Sequence, residues 1–257
     1  SLIQMNILDN QVEENFQKVL SLLTKASKEK PDVIVLPEMW NSSYGLSDLE
    51  ELADVEGKRT KSVLGAFAKE HEVAIVAGSV ATKRGKNFYN TSYVFDDKGK
   101  VISEYDKVHL FGLMAEDHYM TAGDSESHFQ IGTAKASHVI CYDIRFPEWI
   151  RTQMSQKEEL LFVSAQWPDS RITQWKILLQ ARAIENQSFV IAVNRVGKGL
   201  NDQFNGHSLL IDPLGTILFE APENEEGVFT IEIDPNQVNA VRGQIPVFDD
   251  RRVDLYH

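Results

Sequence analysis

The sequence predicts a mixed α/β fold, in which helices pack on the outer faces of sheets that contain both parallel and antiparallel strands. Two observations support this prediction. Short apolar runs alternate with amphipathic helical stretches along the 257 residues, which is typical of strand–helix units. Two pairs of apolar runs are instead separated by short turns, at 97–99 and at 212–215, and these turns indicate β-hairpins. Strand–helix units favour parallel pairing and hairpins give antiparallel pairing, so mixed sheets are expected.

The individual elements follow from the spacing of apolar residues. Apolar side chains recur at helical spacing within 12–23, 63–68 and 172–186, and Pro147 at the start of 147–156 favours a further helix. Apolar runs bounded by turn residues predict strands at 33–36, 73–80, 137–141, 160–164 and 189–196. The hairpins pair 88–95 with 101–105 and 208–211 with 217–219, and 227–233 closes the sheet region.

Length and composition favour one globular domain over residues 1–257. The chain is 42% hydrophobic and 25% charged, as ordinary globular proteins are, and no linker, repeat or low-complexity tract divides it. Residues 242–257 show little regular pattern. We expect them to form a C-terminal tail that packs on the body or on a partner subunit.

Charge and cysteine content limit the possible functions. The 26 Lys and Arg against 38 Asp and Glu give a formal net charge of −12, which makes nucleic acid and anionic membrane surfaces poor partners. No apolar run is long enough to span a membrane. The single cysteine, Cys141, rules out an intramolecular disulfide. Together with an N-terminus that lacks signal-peptide features, it indicates a cytoplasmic protein.

Three chemically different side chains follow three predicted strands. Glu38 comes after strand 33–36, Lys107 after hairpin strand 101–105, and Cys141 at the turn from strand 137–141 into a helix. Ligands of open α/β sheets bind at the carboxyl ends of the strands, so these side chains are expected to converge. A thiol must lose its proton to become a nucleophile, and Glu38 can accept that proton. Lys107 and the backbone N–H of Tyr142 can stabilise the oxyanion formed at the attacked carbon.

Each of these residues, taken singly, also has a structural explanation. A lone cysteine is more often a small core residue, a carboxylate after a strand can cap a helix or form an ion pair, and lysine is usually exposed. A Cys–His site with His109 or His138 as the base is another alternative. His138 lies three positions before Cys141 on the same strand and therefore points to the opposite face, and His109 is more often a structural residue.

Taken together, the three segments resemble the nitrilase, or carbon–nitrogen hydrolase, superfamily, from residue 2 to about residue 235. Members have a Glu–Lys–Cys triad, with the glutamate in Pro-Glu, the lysine in Lys-x-His-Leu and the cysteine in Cys-Tyr-Asp-x-Arg-Phe-Pro. All three motifs are present in order, at 37–38, 107–110 and 141–147. The resemblance implies a four-layer α-β-β-α sandwich with two mixed sheets. It also implies a hydrolase that needs no metal or organic cofactor, and a homodimer formed through a helical face.

The resemblance assigns a role to each matching residue. Glu38 is expected to be the general base, Lys107 the oxyanion stabiliser and Cys141 the nucleophile. Many members have a second glutamate, which positions the lysine or assists proton transfer. Glu116 matches this residue, with Asp117 as the competing choice and a solvated acidic loop as the structural alternative.

Within the superfamily, the chain is most similar to the omega-amidases, at 107–111, 165–168 and 181–186. Omega-amidases hydrolyse the terminal amide of 2-oxo-dicarboxylic acid monoamides such as 2-oxoglutaramate, and they release ammonia. Hydrolysis of an N-carbamoyl amino acid, an aliphatic amide or a nitrile is the alternative within the same chemistry. A non-catalytic binding protein on the same scaffold is the alternative from another class.

A carboxylated amide needs a cation or amide donors in its pocket. Arg145, together with Arg171 or Arg195, is a candidate for supplying the charge. Arg145 has an equally good structural explanation, in which it pairs with Glu148 or Asp143.

Aromatic residues are the candidates for the pocket walls. Trp167 follows the predicted strand 160–164 and is expected to line the pocket, the alternative being that it fills the core. Phe111 and Tyr44 are further candidates. A separate pattern, Asn90-Thr91-Ser92, matches an N-glycosylation signal, which a cytoplasmic protein does not use.

Overall fold

Four layers of secondary structure, in the order helix, sheet, sheet, helix, form the computed structural model, which describes residues 1–256. The helices are α1 (Val12–Ser27), α2 (Leu49–Leu52), α3 (Lys58–His71), α4 (Glu116–Tyr119), α5 (Pro147–Gln153), α6 (Ile172–Asn186) and α7 (Gln237–Gln244). The strands are β1 (Leu2–Gln4), β2 (Val33–Val35), β3 (Asp54–Val55), β4 (Ala74–Val76), β5 (Val80–Arg84), β6 (Asn87–Phe95), β7 (Val101–Asp106), β8 (His128–Ile131), β9 (Ala134–Ile140), β10 (Leu160–Ala165), β11 (Phe189–Asn194), β12 (Val196–Lys198), β13 (Gln203–Asn205), β14 (Leu209–Ile211), β15 (Ile217–Glu220) and β16 (Gly227–Phe229).

Both large sheets are mixed. Across the described residues, the first sheet has the order β16-β1-β2-β4-β6-β5-β3, with β7 also paired to β6, and the second has the order β15-β14-β11-β10-β9-β8. In the first sheet β2 and β4 are parallel, whereas β4 and β6 are antiparallel. In the second sheet β9, β10 and β11 are parallel, whereas β11 and β14 are antiparallel.

Side chains on the central strands point alternately to the two faces of each sheet, which divides the core into three layers. On β2, Val35 packs between the two sheets and Ile34 packs under the helices α1 and α3. On β10, Phe162 faces the first sheet, whereas Val163 packs under α5 and α6. Successive strand residues point to opposite faces, so strands buried on both sides are apolar throughout. The predicted α-β-β-α sandwich is therefore confirmed.

Several predicted elements differ from the structure in their bounds. The β-rich run 73–80 is divided between β4 and the first residue of β5, with a turn at Gly78 between the two strands. Gly78 has a φ of +61°, and a Cβ there would lie 1.9 Å from the carbonyl oxygen of Pro37. Glycine therefore permits this turn to pack against the segment that precedes Glu38.

Residues 242–256 contact the body of the protein. Helix α7 extends three residues into the predicted tail, and the remainder up to residue 256 has no helix or strand. The guanidinium of Arg242 donates to the carbonyl oxygens of Lys157, Glu158 and Asn186. The last residue of the predicted tail, His257, lies outside the described residues. No helix within 1–256 has the length and apolar character needed to cross a membrane.

The strand directions place several chain segments at one edge of the sandwich. Strand β7 is antiparallel to β6, and β6 is antiparallel to β4, so β7 runs parallel to β2 and β4. The carboxyl ends of β2 and β7 therefore lie at the same edge of the first sheet. In the second sheet, the carboxyl ends of the parallel strands β9 and β10 also lie at one edge. Strand β6 begins at this same edge because it runs in the opposite direction.

Candidate active site

Glu38 lies at the centre of a buried polar cluster. Its side chain is inaccessible to solvent, and it lies three residues beyond Val35, the last residue of β2. Oε1 accepts hydrogen bonds from the hydroxyl of Tyr44 (2.7 Å), the amide of Asn90 (2.9 Å) and the ammonium of Lys107 (2.8 Å). Oε2 accepts one from the backbone N–H of Gln166 (2.8 Å). These four donors stabilise a buried carboxylate that would otherwise be costly.

Lys107 bridges two buried carboxylates. Its Nζ lies 2.8 Å from Oε1 of Glu38, 2.7 Å from Oε2 of Glu116 and 3.3 Å from the Tyr44 hydroxyl. Burial lowers the pKa of Lys107, but the negative charges of Glu116 and Glu38 outweigh this effect and raise the pKa above the usual lysine range. Lys107 therefore stays cationic in the free protein.

Glu116 belongs to the cluster, and Asp117 does not. Glu116 is fully buried at the start of α4, where its carboxylate also accepts hydrogen bonds from the Phe111 N–H and the Asn90 amide. Burial raises its pKa. The side chain of Asp117 is half exposed and faces His118. The solvated-loop alternative for Glu116 is wrong.

Asn90 and Tyr44 have contacts that the sequence did not reveal. The amide of Asn90 donates to both Glu38 and Glu116, which ties the two carboxylates together. Tyr44 was expected only as a pocket wall, but its hydroxyl also contacts Glu38 and Lys107. Burial and the charges of Glu116 and Glu38 raise the pKa of Tyr44 well above its usual value, so it remains a phenol that can donate.

Cys141 is the first residue of the short 3₁₀ helix Cys141–Arg145, which follows β9 directly, and its backbone is strained. Its φ is +45°, a left-handed conformation that costs a non-glycine residue about 1–3 kcal/mol. The side chain is only 7% exposed. Tyr142 is the second residue of this helix, so its N–H has no acceptor within the helix and can donate to a ligand.

The thiol is neutral in the free protein. Burial raises the pKa of Cys141 well above its usual value, the charge of Glu38 raises it further, and the charge of Lys107 offsets part of the increase. A buried thiol beside a carboxylate needs a base to become a thiolate. The carboxylate that lies beside the thiol is that of Glu38.

A pocket opens over Cys141. It brings together all four residues predicted to bind substrate. Its lining residues are Tyr44, Phe111, Met114, Cys141, Tyr142, Arg145, Gln166, Trp167, Pro168 and Arg171. The lining is largely aromatic and apolar, with a few polar groups, as is usual for sites that bind small molecules.

Two arginines reach this pocket without a carboxylate partner among the described residues. The guanidinium of Arg145 lies 4.8 Å from the ring centre of Trp167, and that of Arg171 lies 5.8 Å from the ring centre of Phe111. Asp143, the possible structural partner of Arg145, instead accepts hydrogen bonds from Tyr105 and His109 and from the N–H of Ile140. Among the described residues Arg145 forms no ion pair with Asp143 or Glu148, the two partners considered in the structural alternative, so its charge is available to a ligand.

Arg195 does not line the pocket. It is fully buried, and its guanidinium donates to Gln166, Ser43 and the carbonyl oxygen of Ile7. Burial lowers its pKa to about 10, so it is still charged at neutral pH. The suggestion that Arg195 supplies charge to the substrate is wrong, because its donors are already used inside the protein.

Neither histidine forms a Cys–His pair. His138 lies on the face of β9 that points toward the other sheet, where its Nε2 is 3.0 Å from the hydroxyl of Ser164. Burial lowers the pKa of His138 to about 3. Nδ1 of His109 is 2.8 Å from Asp143, and its ring stacks on Phe146. The geometry thus agrees with the expectation that neither serves Cys141 as a base.

Within residues 1–256, no group of three or more His, Cys, Asp and Glu side chains is arranged to hold a metal ion. The thiol of Cys141 and residue Tyr142, with its backbone N–H, line the pocket. Two carboxylates and an ammonium, from Glu38, Glu116 and Lys107, lie buried beside the thiol. Together they can deprotonate a nucleophile and stabilise an oxyanion.

Comparison with known proteins extends over the same chain. A family model described as carbon–nitrogen hydrolase matches residues 1–243. The 2-oxoglutaramate amidase of Bacillus subtilis is 48% identical over 256 residues, which cover 100% of this chain and 98% of that protein. A crystal structure of a CN-hydrolase superfamily protein from Xanthomonas campestris superposes with a TM-score of 0.92 at 28% identity, covering 100% of this chain and 97% of that one. The crystal structure of a nitrilase-superfamily protein from Saccharomyces cerevisiae superposes with a TM-score of 0.88 at 27% identity. The match covers 98% of this chain and 95% of that one.

The fold is thus that of the nitrilase superfamily, in which two mixed sheets face each other between helices. The chain belongs to the carbon–nitrogen hydrolase family. The resemblance predicted from the three motifs is confirmed.

Proposed function

We propose that the protein is a thiol amidohydrolase that cleaves the terminal amide of a small carboxylated substrate, a 2-oxo-dicarboxylic acid monoamide such as 2-oxoglutaramate. The observation that carries the proposal is the set of groups around Cys141. The thiol lines a pocket with two arginines that have no carboxylate partner among the described residues, and the buried Glu38–Lys107 pair lies beside it. The similarity to a 2-oxoglutaramate amidase supports this choice of substrate.

The reaction starts with nucleophile activation. Glu38 takes the proton of the Cys141 thiol, and the thiolate attacks the amide carbon. Nζ of Lys107 and the N–H of Tyr142 hold the oxyanion. An ammonium has three protons, and the longest of the three Lys107 contacts is the 3.3 Å contact with Tyr44. The oxyanion can therefore replace Tyr44 while Lys107 keeps both carboxylates.

The second half of the cycle returns the enzyme to its starting state. The amide nitrogen takes the proton from Glu38 and leaves as ammonia, which gives a thioester on Cys141. Glu38 then removes a proton from water, which attacks the thioester, and the thiol is released with the 2-oxo acid. Glu116 holds Lys107 between the two carboxylates throughout, at 2.7 Å from Nζ.

The pocket suits a substrate with an anionic end. Arg145 and Arg171 are two positive charges in a protein of net charge −12, and each is oriented over an aromatic ring that lines the pocket. Arginine recognises planar carboxylates through paired N–H groups. We assign the substrate carboxylate to these arginines, and the walls around its carbon chain to Trp167, Phe111 and Tyr44.

Replacement of Arg145 or Arg171 by methionine should reduce turnover of the carboxylated substrate selectively. We expect kcat/KM for 2-oxoglutaramate to fall about tenfold to a hundredfold, because a hydrogen bond to a charged group contributes roughly 1.5–3 kcal/mol. Hydrolysis of a neutral amide of similar length, such as pentanamide, should change less than about threefold. Ammonia release measured with both amides gives the two rates.

Arg252→Met, which removes an exposed arginine in the C-terminal segment, controls for the loss of one charge. It should leave both rates unchanged. Preference of the wild-type protein for the neutral amide, or for a carbamoyl compound, would contradict the proposed substrate class. Equal losses on both amides would show that the arginines serve the pocket structure and not the carboxylate.

We further propose that residues 1–257 act as one carbon–nitrogen hydrolase domain in a cytoplasmic homodimer. A single cysteine that forms no disulfide within the chain is typical of proteins in a reducing compartment, which supports the location. Helix α6 exposes Ile177 and Ile184, two turns apart on one stripe, and the adjoining turn after β14 exposes Leu214. Contiguous exposed apolar residues are typical of an interface, so this face is the proposed contact between subunits.

Ile184→Asp is expected to convert the dimer into a monomer. A charge in the middle of an apolar contact is left without a partner on association, which weakens binding by several kcal/mol. Size-exclusion chromatography with light scattering measures the change. Val55→Asp is the matched control, since Val55 and Ile184 are both 53% exposed but Val55 lies on β3 at the edge of the other sheet. An unchanged mass for Ile184→Asp would contradict this interface.

A further inference from the structure

The two oxygens of the Glu38 carboxylate have unequal surroundings. Oε1 accepts three hydrogen bonds, from Tyr44, Asn90 and Lys107. Oε2 accepts one among the described residues, from the N–H of Gln166. A carboxylate oxygen has about two lone-pair sites, so Oε1 is saturated and Oε2 retains the capacity to take a proton.

Gln166 connects the base to the nucleophile. Its N–H donates to Oε2 of Glu38 at 2.8 Å, and its side-chain Nε2 donates to the backbone carbonyl of Glu38 at 3.0 Å. Its own carbonyl oxygen lies 3.9 Å from the sulfur of Cys141. A displacement of Gln166 therefore shifts the Glu38 carboxylate relative to the thiol.

Arg195 determines how the amide of Gln166 is oriented. Nη1 of Arg195 donates to Oε1 of Gln166 at 2.9 Å and to the hydroxyl of Ser43 at 3.0 Å. A guanidinium can only donate, so it requires the amide oxygen on its own side and directs Nε2 toward Glu38. The opposite orientation would place two donors against each other and leave the Glu38 carbonyl without its partner.

We propose that Gln166, held by Arg195, is the positioning residue for Glu38, and that Oε2 is the atom that takes the thiol proton. The S–H bond of Cys141 breaks, an O–H bond forms at Oε2, and the same proton later leaves on the amide nitrogen as ammonia. This inference rests on the proposed function, since Glu38 must be the base. Arg195 acts through Gln166 and touches neither thiol nor substrate.

Two variants of Gln166 test the proposal by a reaction that needs no natural substrate. Cys141 is the only cysteine, so alkylation by iodoacetamide, followed by intact mass, reports the reactivity of this one thiol. Gln166→Ala should slow alkylation at neutral pH and lower kcat for 2-oxoglutaramate by about tenfold to a hundredfold, because a small misplacement of a catalytic group has an effect of this size. KM should change less than about threefold.

Gln166→Glu should move the pH profile. The new carboxylate keeps the side-chain volume and an acceptor for Arg195, but it places a negative charge beside Glu38 in place of a donor. The protonated form of Glu38 is then favoured, so the acid limbs of the alkylation rate and of kcat/KM should move to higher pH. A residue that only supports the fold would not move these limbs.

Gln187→Ala and Glu38→Gln complete the design. Gln187 is also a buried glutamine whose amide donates to a backbone carbonyl, that of Ile245, but it does not line the pocket, so Gln187→Ala should keep the wild-type alkylation rate and pH profile. Wild-type rates and pH profiles in both Gln166 variants would overturn the proposal, as would loss of the fold in the isosteric Gln166→Glu. If Glu38→Gln retains turnover and labelling, the proposed function itself fails. If Glu38→Gln loses turnover and labelling but both Gln166 variants keep them, the proposed role of Gln166 is wrong while the proposed function still holds.

Discussion

Cys141→Ala is expected to lower kcat by about 10⁴-fold or more while leaving the fold intact. Removal of a nucleophile that works as a unit with its base leaves only the binding contribution to catalysis. The stability cost should stay within about 1 kcal/mol, because the sulfur makes only a long contact of 3.9 Å with the Gln166 carbonyl. Alanine also occupies a left-handed φ no worse than cysteine does. Ammonia release and thermal unfolding measure the two effects.

Cys141→Ser separates the loss of nucleophilic reactivity from the loss of side-chain volume. The hydroxyl nearly matches the thiol in size but ionises far less readily, so Glu38 cannot activate it to a comparable degree. We expect the serine variant to bind the amide and to hydrolyse it at close to the rate of the alanine variant. More than about one per cent of wild-type activity in Cys141→Ala would contradict the nucleophile assignment.

Lys107→Met is expected to damage both stability and activity. Lys107 is the cation between Glu38 and Glu116, and all three side chains are fully buried. Without it, two carboxylates face each other in the interior, which should cost about 3–5 kcal/mol of unfolding free energy. Loss of an oxyanion donor should lower kcat by about 10²–10³-fold in addition. Denaturant unfolding and ammonia release measure the two losses.

The double variant Lys107→Met/Glu116→Gln distinguishes these effects. The second change removes one of the two unpaired carboxylates and keeps the side-chain volume. Unfolding free energy should recover in part, whereas kcat should not, because the oxyanion donor is still missing. Recovery of activity together with stability would show that Lys107 serves only to neutralise charge. A Lys107→Met protein with wild-type stability would contradict the buried ion-pair cluster.

Much of this architecture was predictable because it depends on local sequence patterns. Glu38, Lys107 and Cys141 each follow a strand that periodicity reveals, and parallel strands bring their carboxyl ends to a common edge. The apolar strands and amphipathic helices likewise predicted mixed sheets with helices on their outer faces, and the resemblance to the superfamily implied the four layers of the sandwich. The motif match to the carbon–nitrogen hydrolases added Glu116, which an acidic stretch alone would not have singled out from Asp117.

Residues whose role depends on tertiary contacts were missed or misassigned. Asn90 lies near the start of the antiparallel strand β6, so it reaches the site from a position that the strand-end rule does not mark. Gln166 contacts Glu38 through both its backbone N–H and its side-chain amide, and no sequence pattern reveals either contact. Arg195 was considered for the pocket because of its charge, but burial within the protein decides its partners. The sequence shows that a residue is charged, but only the tertiary packing shows which groups its side chain contacts.

Acid-quenched intact mass during a single turnover of 2-oxoglutaramate tests the central claim most directly, namely that Cys141 attacks the amide carbon. We expect a transient mass gain equal to the amide minus ammonia, located on Cys141 by peptide mapping, and no gain in Cys141→Ala. The adduct should disappear as free 2-oxo acid forms. Ammonia release without an adduct on Cys141 at any quench time, or an adduct on another residue, would contradict the mechanism.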